Sequence, residues 1–230
     1  MRLWFIKTDP VDVTQKFRYI FISMNEISRK QQILQDLKKF VLSKATIIYI
    51  VSDEEDRMEG LLKELSATFQ PKPKLFIWNP FQGLIGENEK VENSKTSFEA
   101  LDKVIQRSEQ AIYLFEGLHS FLKADPLVAR KLKDLHRALR NRYSTLFIIA
   151  PSLVVPEELR RDMIVYELPM PDGTEVERTL MGVISGSPHA SSLTESLTPA
   201  LKDQMIKAAL GLSLDQVARA FRSALIGRTT

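Results

Sequence analysis

Three uninterrupted apolar runs, TIIYIV (46–51), AIYLF (111–115) and TLFIIA (145–150), constrain this chain more than anything else in it. Each is strand-sized and rich in β-branched or aromatic residues. A strand with one wet face alternates apolar with polar, whereas a run apolar at every position suits a strand covered on both faces. KLFIW (74–78) is a weaker fourth run, and FRYIFIS (17–23) reads as a strand or as the lead-in to the first helix. Helical spacing alternates with these runs. Glu26–Ser43 sets Ile33, Leu37, Phe40 and Val41 on one side, and Asp53–Phe69 gathers Met58, Leu61, Leu62, Leu65 and Phe69. Pro126–Arg142 carries Val128, Leu132, Leu135 and Leu139, with Asp125 as cap and Pro126 in the first turn. Strands alternating with helices predict βαβ units and a three-layer α/β fold around a parallel sheet.

The character changes after Pro171. Residues 173–193 are rich in Gly, Ser and Thr, and GSPHASS reads as a mobile connection. Two short helices are expected after it. The second starts at Ser213, where S-L-D-Q is a capping box and Leu214, Val217, Phe221 and Leu225 form the apolar stripe. The expected organisation is an α/β body over 1–170, N-terminal lead-in included, and a small helical subdomain over 171–230. ENEKVENSKTS (87–97) is polar and reads as a surface loop. With no cysteine in the chain, disulfides and cysteine-ligated metals are excluded. The formal charge of +3, from 32 basic and 29 acidic residues, is too small to name a nucleic-acid partner. The apolar runs fall well short of the ~20 residues of a membrane span, and MRLWFIKTDP contains no secretory core, so a cytoplasmic chain with no membrane contact is expected.

A parallel sheet invites a search for a phosphate loop, G-x-x-x-x-G-K-[ST], between a strand and a helix. Its glycines turn backbone N–H groups toward the phosphates and its lysine reaches the terminal ones. After TIIYIV the chain instead reads Ser52-Asp53-Glu54-Glu55-Asp56-Arg57, with neither glycine nor lysine. Four carboxylates crowd the start of the next helix. Each gains roughly 0.3–1 kcal/mol from the positive end of the helix dipole. They are expected to occupy the donors a phosphate would use and to repel it; equally, they are simply good residues for a first helical turn. The second ATPase element is an apolar strand ending in two acids, which hold Mg²⁺ and prepare the attacking water. Here AIYLF ends in Glu116-Gly117, leaving Glu116 as a relic, a weak Mg²⁺ ligand or an ordinary strand-end carboxylate.

His119, His136 and His189 are scattered without metal-ligand spacing, and His119 reads as a loop residue. No G-x-S-x-G elbow is present. Neither a catalytic residue, a cofactor site nor a metal site is expected. Arg130, Lys131, Lys133, Arg137, Arg140 and Arg142 line the outer face of the helix at 126–142. Such a stripe could meet nucleic-acid phosphates, or could be a solvated face whose last turn complements the dipole. Arg160 and Arg161 follow Pro156-Glu157-Glu158-Leu159; in ring ATPases arginines near this place reach a neighbour's γ-phosphate, and the plainer reading is a surface arginine pair.

TLFIIAPSLVVPEELRRDMIVYELPMPD resembles the stretch of AAA proteins from the fourth strand through a P-x-L-R segment into a strand ending P-x-P-D. More narrowly, with TIIYIVSDEEDRMEGLLKEL, AIYLFEGLHSFLKADPLVARKLKDLHRALR and LGLSLDQVARAFRSAL, it is similar to the degenerate N-terminal half of the Ycf46 group of AAA proteins from cyanobacteria and algal plastids. The resemblance covers roughly residues 26–226. It implies an AAA-type α/β body with a lid-like helical subdomain, and a second AAA module with complete motifs after the stretch ending at Thr230. It implies a non-catalytic interaction or regulatory module whose partner is an AAA module in the same chain or in an oligomer. It also admits a plastid stroma as the compartment. The alternatives are a nucleic-acid-associated scaffold akin to a non-hydrolysing clamp-loader subunit, with Arg130, Lys133, Arg137 and Arg140 as contacts, and a residual nucleotide sensor near Ser52 or Glu116.

Overall fold

Each of the three strong runs forms a strand, and each sends alternate residues to opposite faces of one sheet, as the two-residue period of a strand requires. In β1 (Ile47–Val51), Ile47 and Tyr49 enter one apolar core while Ile48 and Ile50 enter another. β4 (Ala111–Glu116) divides in the same way, with Tyr113 and Phe115 against Ile112 and Leu114. So does β5 (Thr145–Ala150), with Leu146 and Ile148 against Phe147 and Ile149. A fully buried side chain of this size stabilises by about 1.5–3 kcal/mol, which is why the sheet needs helices on both faces.

The computed structural model describes residues 28–226, with side chains to 225; FRYIFIS at 17–23 lies outside the described residues. The remaining strands are β2 (Lys74–Asn79), β3 (Gly83–Gly86) and β6 (Met163–Glu167). The sheet order is β3-β2-β4-β5-β1-β6, with β3 antiparallel to β2 and the other pairings parallel. α1 (Arg29–Leu42) and α2 (Glu55–Ala67) cover one face; α3 (Ser97–Gln106), α4 (Leu118–Ala124) and α5 (Pro126–Leu139) cover the other. After β6 come α6 (Gly173–Ser185), α7 (Ala190–Ser196), α8 (Pro199–Ala209) and α9 (Leu214–Ile226), which share a third apolar cluster centred on Val176, Leu180, Val217 and Phe221. Among the described residues no helix is long and apolar enough to cross a membrane.

The caps explain the helix ends. Asp125 accepts from the Leu127 N–H at 2.8 Å ahead of Pro126, and α5 stops at Leu139, short of Arg142. At α9 the Ser213 hydroxyl accepts from Gln216 N while the Gln216 side chain accepts from Ser213 N at 3.0 Å. The Gly- and Ser-rich segment after Pro171 departs from expectation. Residues 173–185 are helical because Asp172 caps Thr174 and Glu175 at 3.0 Å and Val176, Leu180 and Ile184 repeat every four residues into the core. That stripe outweighs the roughly 1 kcal/mol penalty of an interior glycine. Only four residues, 186–189, separate α6 from α7. The 87–97 loop is mostly exposed, but Ser94 is buried: its hydroxyl accepts from Leu84 N at 2.8 Å and its carbonyl accepts from Trp78 Nε1 at 2.8 Å.

Candidate functional site

The turn from β1 to α2 has three residues, Ser52, Asp53 and Glu54. It is closed by its own backbone and by Ser52. The Ser52 N–H reaches Ala150 O at 2.9 Å, Glu54 N reaches Ser52 Oγ at 3.1 Å and Glu55 N reaches Asp53 O at 3.1 Å. No loop arches away from the strand to ring an anion. The four acids here do not act alike. Asp53, Glu55 and Asp56 are exposed, whereas Glu54 is buried and caps no N–H of α2. The expectation that these acids fill the donors of the helix start is therefore corrected. Glu54 finds a stronger partner elsewhere.

That partner is Arg57, one turn along α2. Its Nη1 donates to Glu54 Oε2 at 2.7 Å and to Pro169 O at 2.7 Å. Its Nε and Nη2 grip Glu175 through both oxygens, at 3.1 and 2.9 Å. The other Glu54 oxygen accepts from the Leu214 N–H at 2.7 Å, at the first turn of α9. The three side chains are only 4–6% exposed. A buried guanidinium matched bidentately to one carboxylate and singly to another satisfies most of the five donors it brings. The network joins α2, the connection at Pro169, α6 and α9. Sequence reasoning quoted Arg57 without assigning it a role and missed Glu175. Both carried a signal: Glu54 and Arg57 are spaced i,i+3, and Glu175 stands third after the Asp172 cap.

Glu116 ends β4 beside a second cluster. With Glu55, Asp56, Glu59, Asn79 and Gln82 it lines a cleft of about 390 Å³ at the carboxyl ends of the strands. Burial raises the Glu116 carboxyl to about 7, helped by the charge of Glu55 and opposed by a hydrogen bond from Asn79. Burial also raises Glu55, with Asp56 adding and His119 opposing. Gly117 occupies the position of the second acid in an ATPase strand end. Its φ is +72°, a left-handed conformation that disfavours any side chain at the turn into α4. His119 lies in that helix and not in a loop; its Nδ1 is buried without a partner among the described residues.

The basic stripe on α5 is largely engaged. Lys131 pairs with Asp102, Lys133 pairs with Asp162, and Arg130 and Arg137 share Asp134 at 3.5 and 3.7 Å. Arg142 donates to the carbonyls of Ile105, at 2.8 Å, and Arg107. Arg140 is exposed. Arg160 and Arg161 are also exposed and form no ion pair among the described residues. They precede Met163, which pairs with Ile47 at the amino end of β1, whereas the Ser52–Arg57 turn leaves its carboxyl end. Five strand residues, about 15 Å, separate the two ends. The arginines therefore lie near the opposite end of the strand from their own chain's turn.

A sheet of five parallel strands edged by antiparallel β3, set between helical layers and followed by a helical cluster, is the fold of AAA-type ATPases. The family model for the SpoVK-like AAA ATPase N-terminal domain matches residues 33–168, and the chain belongs to that family. The AAA domain-containing protein ycf46 of Guillardia theta is 29% identical over 190 residues, covering 81% of this chain and 36% of that protein. Its counterpart in Trieres chinensis is 27% identical over 177 residues, 75% of this chain and 34% of that protein. The chain thus spans about a third of the length of these relatives. Among solved structures, one describing katanin self-assembly matches with a TM-score of 0.55 at 12% identity, covering 84% of this chain and 68% of that one. The structure of C. elegans PCH-2 matches at 0.51 with 14% identity, over 83% and 61% of the two chains.

Proposed function

We propose that this chain is a non-catalytic AAA module. It is an α/β body to about residue 170 with a lid-like helical subdomain after it, and it packs against an active AAA module in the same parent chain or in an oligomer to bias assembly or activity. The observation that carries this reading is the three-residue turn after β1, whose following residues are drawn into the Glu54–Arg57–Glu175 network. A triphosphate needs free backbone N–H groups and a cation at that place. No uncommitted cation stands beside the turn among the described residues, because the buried Arg57 guanidinium that follows it is already held by two carboxylates. The acidic cleft beside Glu116 further repels an anion.

Arg160 and Arg161 support the partner side of the reading. They are exposed, unpaired among the described residues and placed at the opposite end of the strand from their own turn, so they suit contact with a neighbour's nucleotide. Self-assembly of katanin, one of the fold neighbours, favours an oligomer as the setting. The compartment follows the algal relatives: cytoplasm, or plastid stroma. The nucleic-acid scaffold has less support, since Lys131 and Lys133 are engaged in ion pairs and Arg130 and Arg137 share one acid. The nucleotide-sensor reading is opposed by the buried network itself. Calorimetric titration with Mg-ATP to millimolar concentration is the test. No saturable heat is expected; a saturable isotherm would overturn the non-catalytic reading.

A further inference from the structure

We propose that Glu54 is a resident anion that latches the C-terminal helices onto the sheet, doing with a side chain what a bound anion would do there. This rests on reading the turn after β1 as closed to nucleotide. The carboxylate touches both sides of the joint. One oxygen takes the Arg57 guanidinium at 2.7 Å from its own helix. The other takes the Leu214 amide at 2.7 Å, 160 residues further along the chain. Leu214 opens α9, so its N–H is one of the donors a helix leaves without an internal partner. The local cap does not reach it: the Ser213 hydroxyl serves Gln216 N instead. Glu54 fills the gap and adds a negative charge at the positive end of the helix.

Arg57 completes the latch, binding Glu175 at the start of α6 and the Pro169 carbonyl between the two parts. The apolar cluster of α6–α9 is separate from the two cores of the sheet. The buried polar bridge is therefore what fixes α9 against α2. An open cleft of about 560 Å³ adjoins it, lined by Asp53, Glu54, Arg57, Leu214 and Arg219. Shortening Glu54 would leave Arg57 and the Leu214 amide facing that cleft, ready for a small anion from solution.

The test compares wild type, Glu54→Ala and Glu54→Gln of this 230-residue chain by amide hydrogen exchange, with sodium formate as the probe and sodium chloride as the salt control. In Glu54→Ala the amides at 214–217 should exchange at least about tenfold faster while those of β1, β4 and β5 keep their protection. Formate at tens of millimolar should restore protection in Glu54→Ala but leave wild type unchanged. Glu54→Gln preserves shape and an acceptor for Leu214 but loses the charge, so it should fall between the two. It also serves if the alanine variant does not fold. Unchanged exchange at 214–217, equal loss of protection across the sheet, or equal rescue by chloride would each overturn the latch. Mg-ATP binding to wild type would overturn the functional reading alone, because the exchange comparison contains no nucleotide.

Discussion

Arg57→Met removes the cation that bridges two buried carboxylates while keeping most of the side chain's apolar stem. Four donor contacts disappear: one to Glu54, two to Glu175 and one to the Pro169 carbonyl. Breaking a buried pair by deleting one partner costs about 3–5 kcal/mol, because the remaining charge stays desolvated. Two features set the value at the lower end. Glu54 keeps the Leu214 amide at 2.7 Å, and Glu175 keeps a long contact from Asp172 N at 3.4 Å. A loss of about 3 kcal/mol corresponds to a fall in Tm of about 6–12 °C for a chain of this size. Differential scanning calorimetry at neutral pH measures it directly. Replacing Glu54, Arg57 and Glu175 together with leucine should recover most of the loss, since no buried charge then lacks a partner. A fall of less than about 2 °C in Arg57→Met would refute the idea that this network holds the helical cluster.

Two further outcomes follow from side chains outside the network. The Glu116 carboxyl titrates at about 7 when folded, against an ordinary value of 4.5. The folded chain therefore holds this proton more tightly than the unfolded one. Its contribution is complete below about pH 4.5 and is lost as pH rises through about 7. After allowance for partial solvent exposure, about 1–2 kcal/mol is at stake. Glu116→Gln should remove that slope and stabilise the protein above pH 7; urea titrations at pH 5 and pH 8 that track wild type at both values would count against it. Ser94→Ala should cost about 1–3 kcal/mol by leaving the buried Leu84 N–H without an acceptor. An unchanged urea midpoint would mean that water or a shifted backbone replaces the hydroxyl.

The local features of this chain were legible because their causes are local. An unbroken apolar run of five or six residues rich in β-branched and aromatic side chains, as at 111–115 and 145–150, suits a strand covered on both faces. Asp125-Pro126 and Ser213-Leu214-Asp215-Gln216 start helices through bonds between residues two and three positions apart. The missing glycine and lysine after Val51 needed no structure to be noticed, and the resemblance to AAA proteins rested on the same order of segments. Where local signals conflicted, the reading failed. Gly173, Gly182 and the serines near 185–192 outweighed the Val176–Leu180–Ile184 stripe in sequence, although in the fold the stripe prevails because it has a core to enter.

Tertiary structure alone decided which charges matter. Of 29 acidic residues, nothing in sequence distinguishes Glu54 and Glu175 from their exposed neighbours, since any acid near an arginine looks alike until burial removes the water. The two carboxylates stand 121 positions apart and meet one guanidinium only because β6 lies beside β1 and delivers α6 to the start of α2. Periodicity and caps act over a few residues and are written in the chain. The partner of a buried charge is set by sheet order, which arises only when distant strands pair.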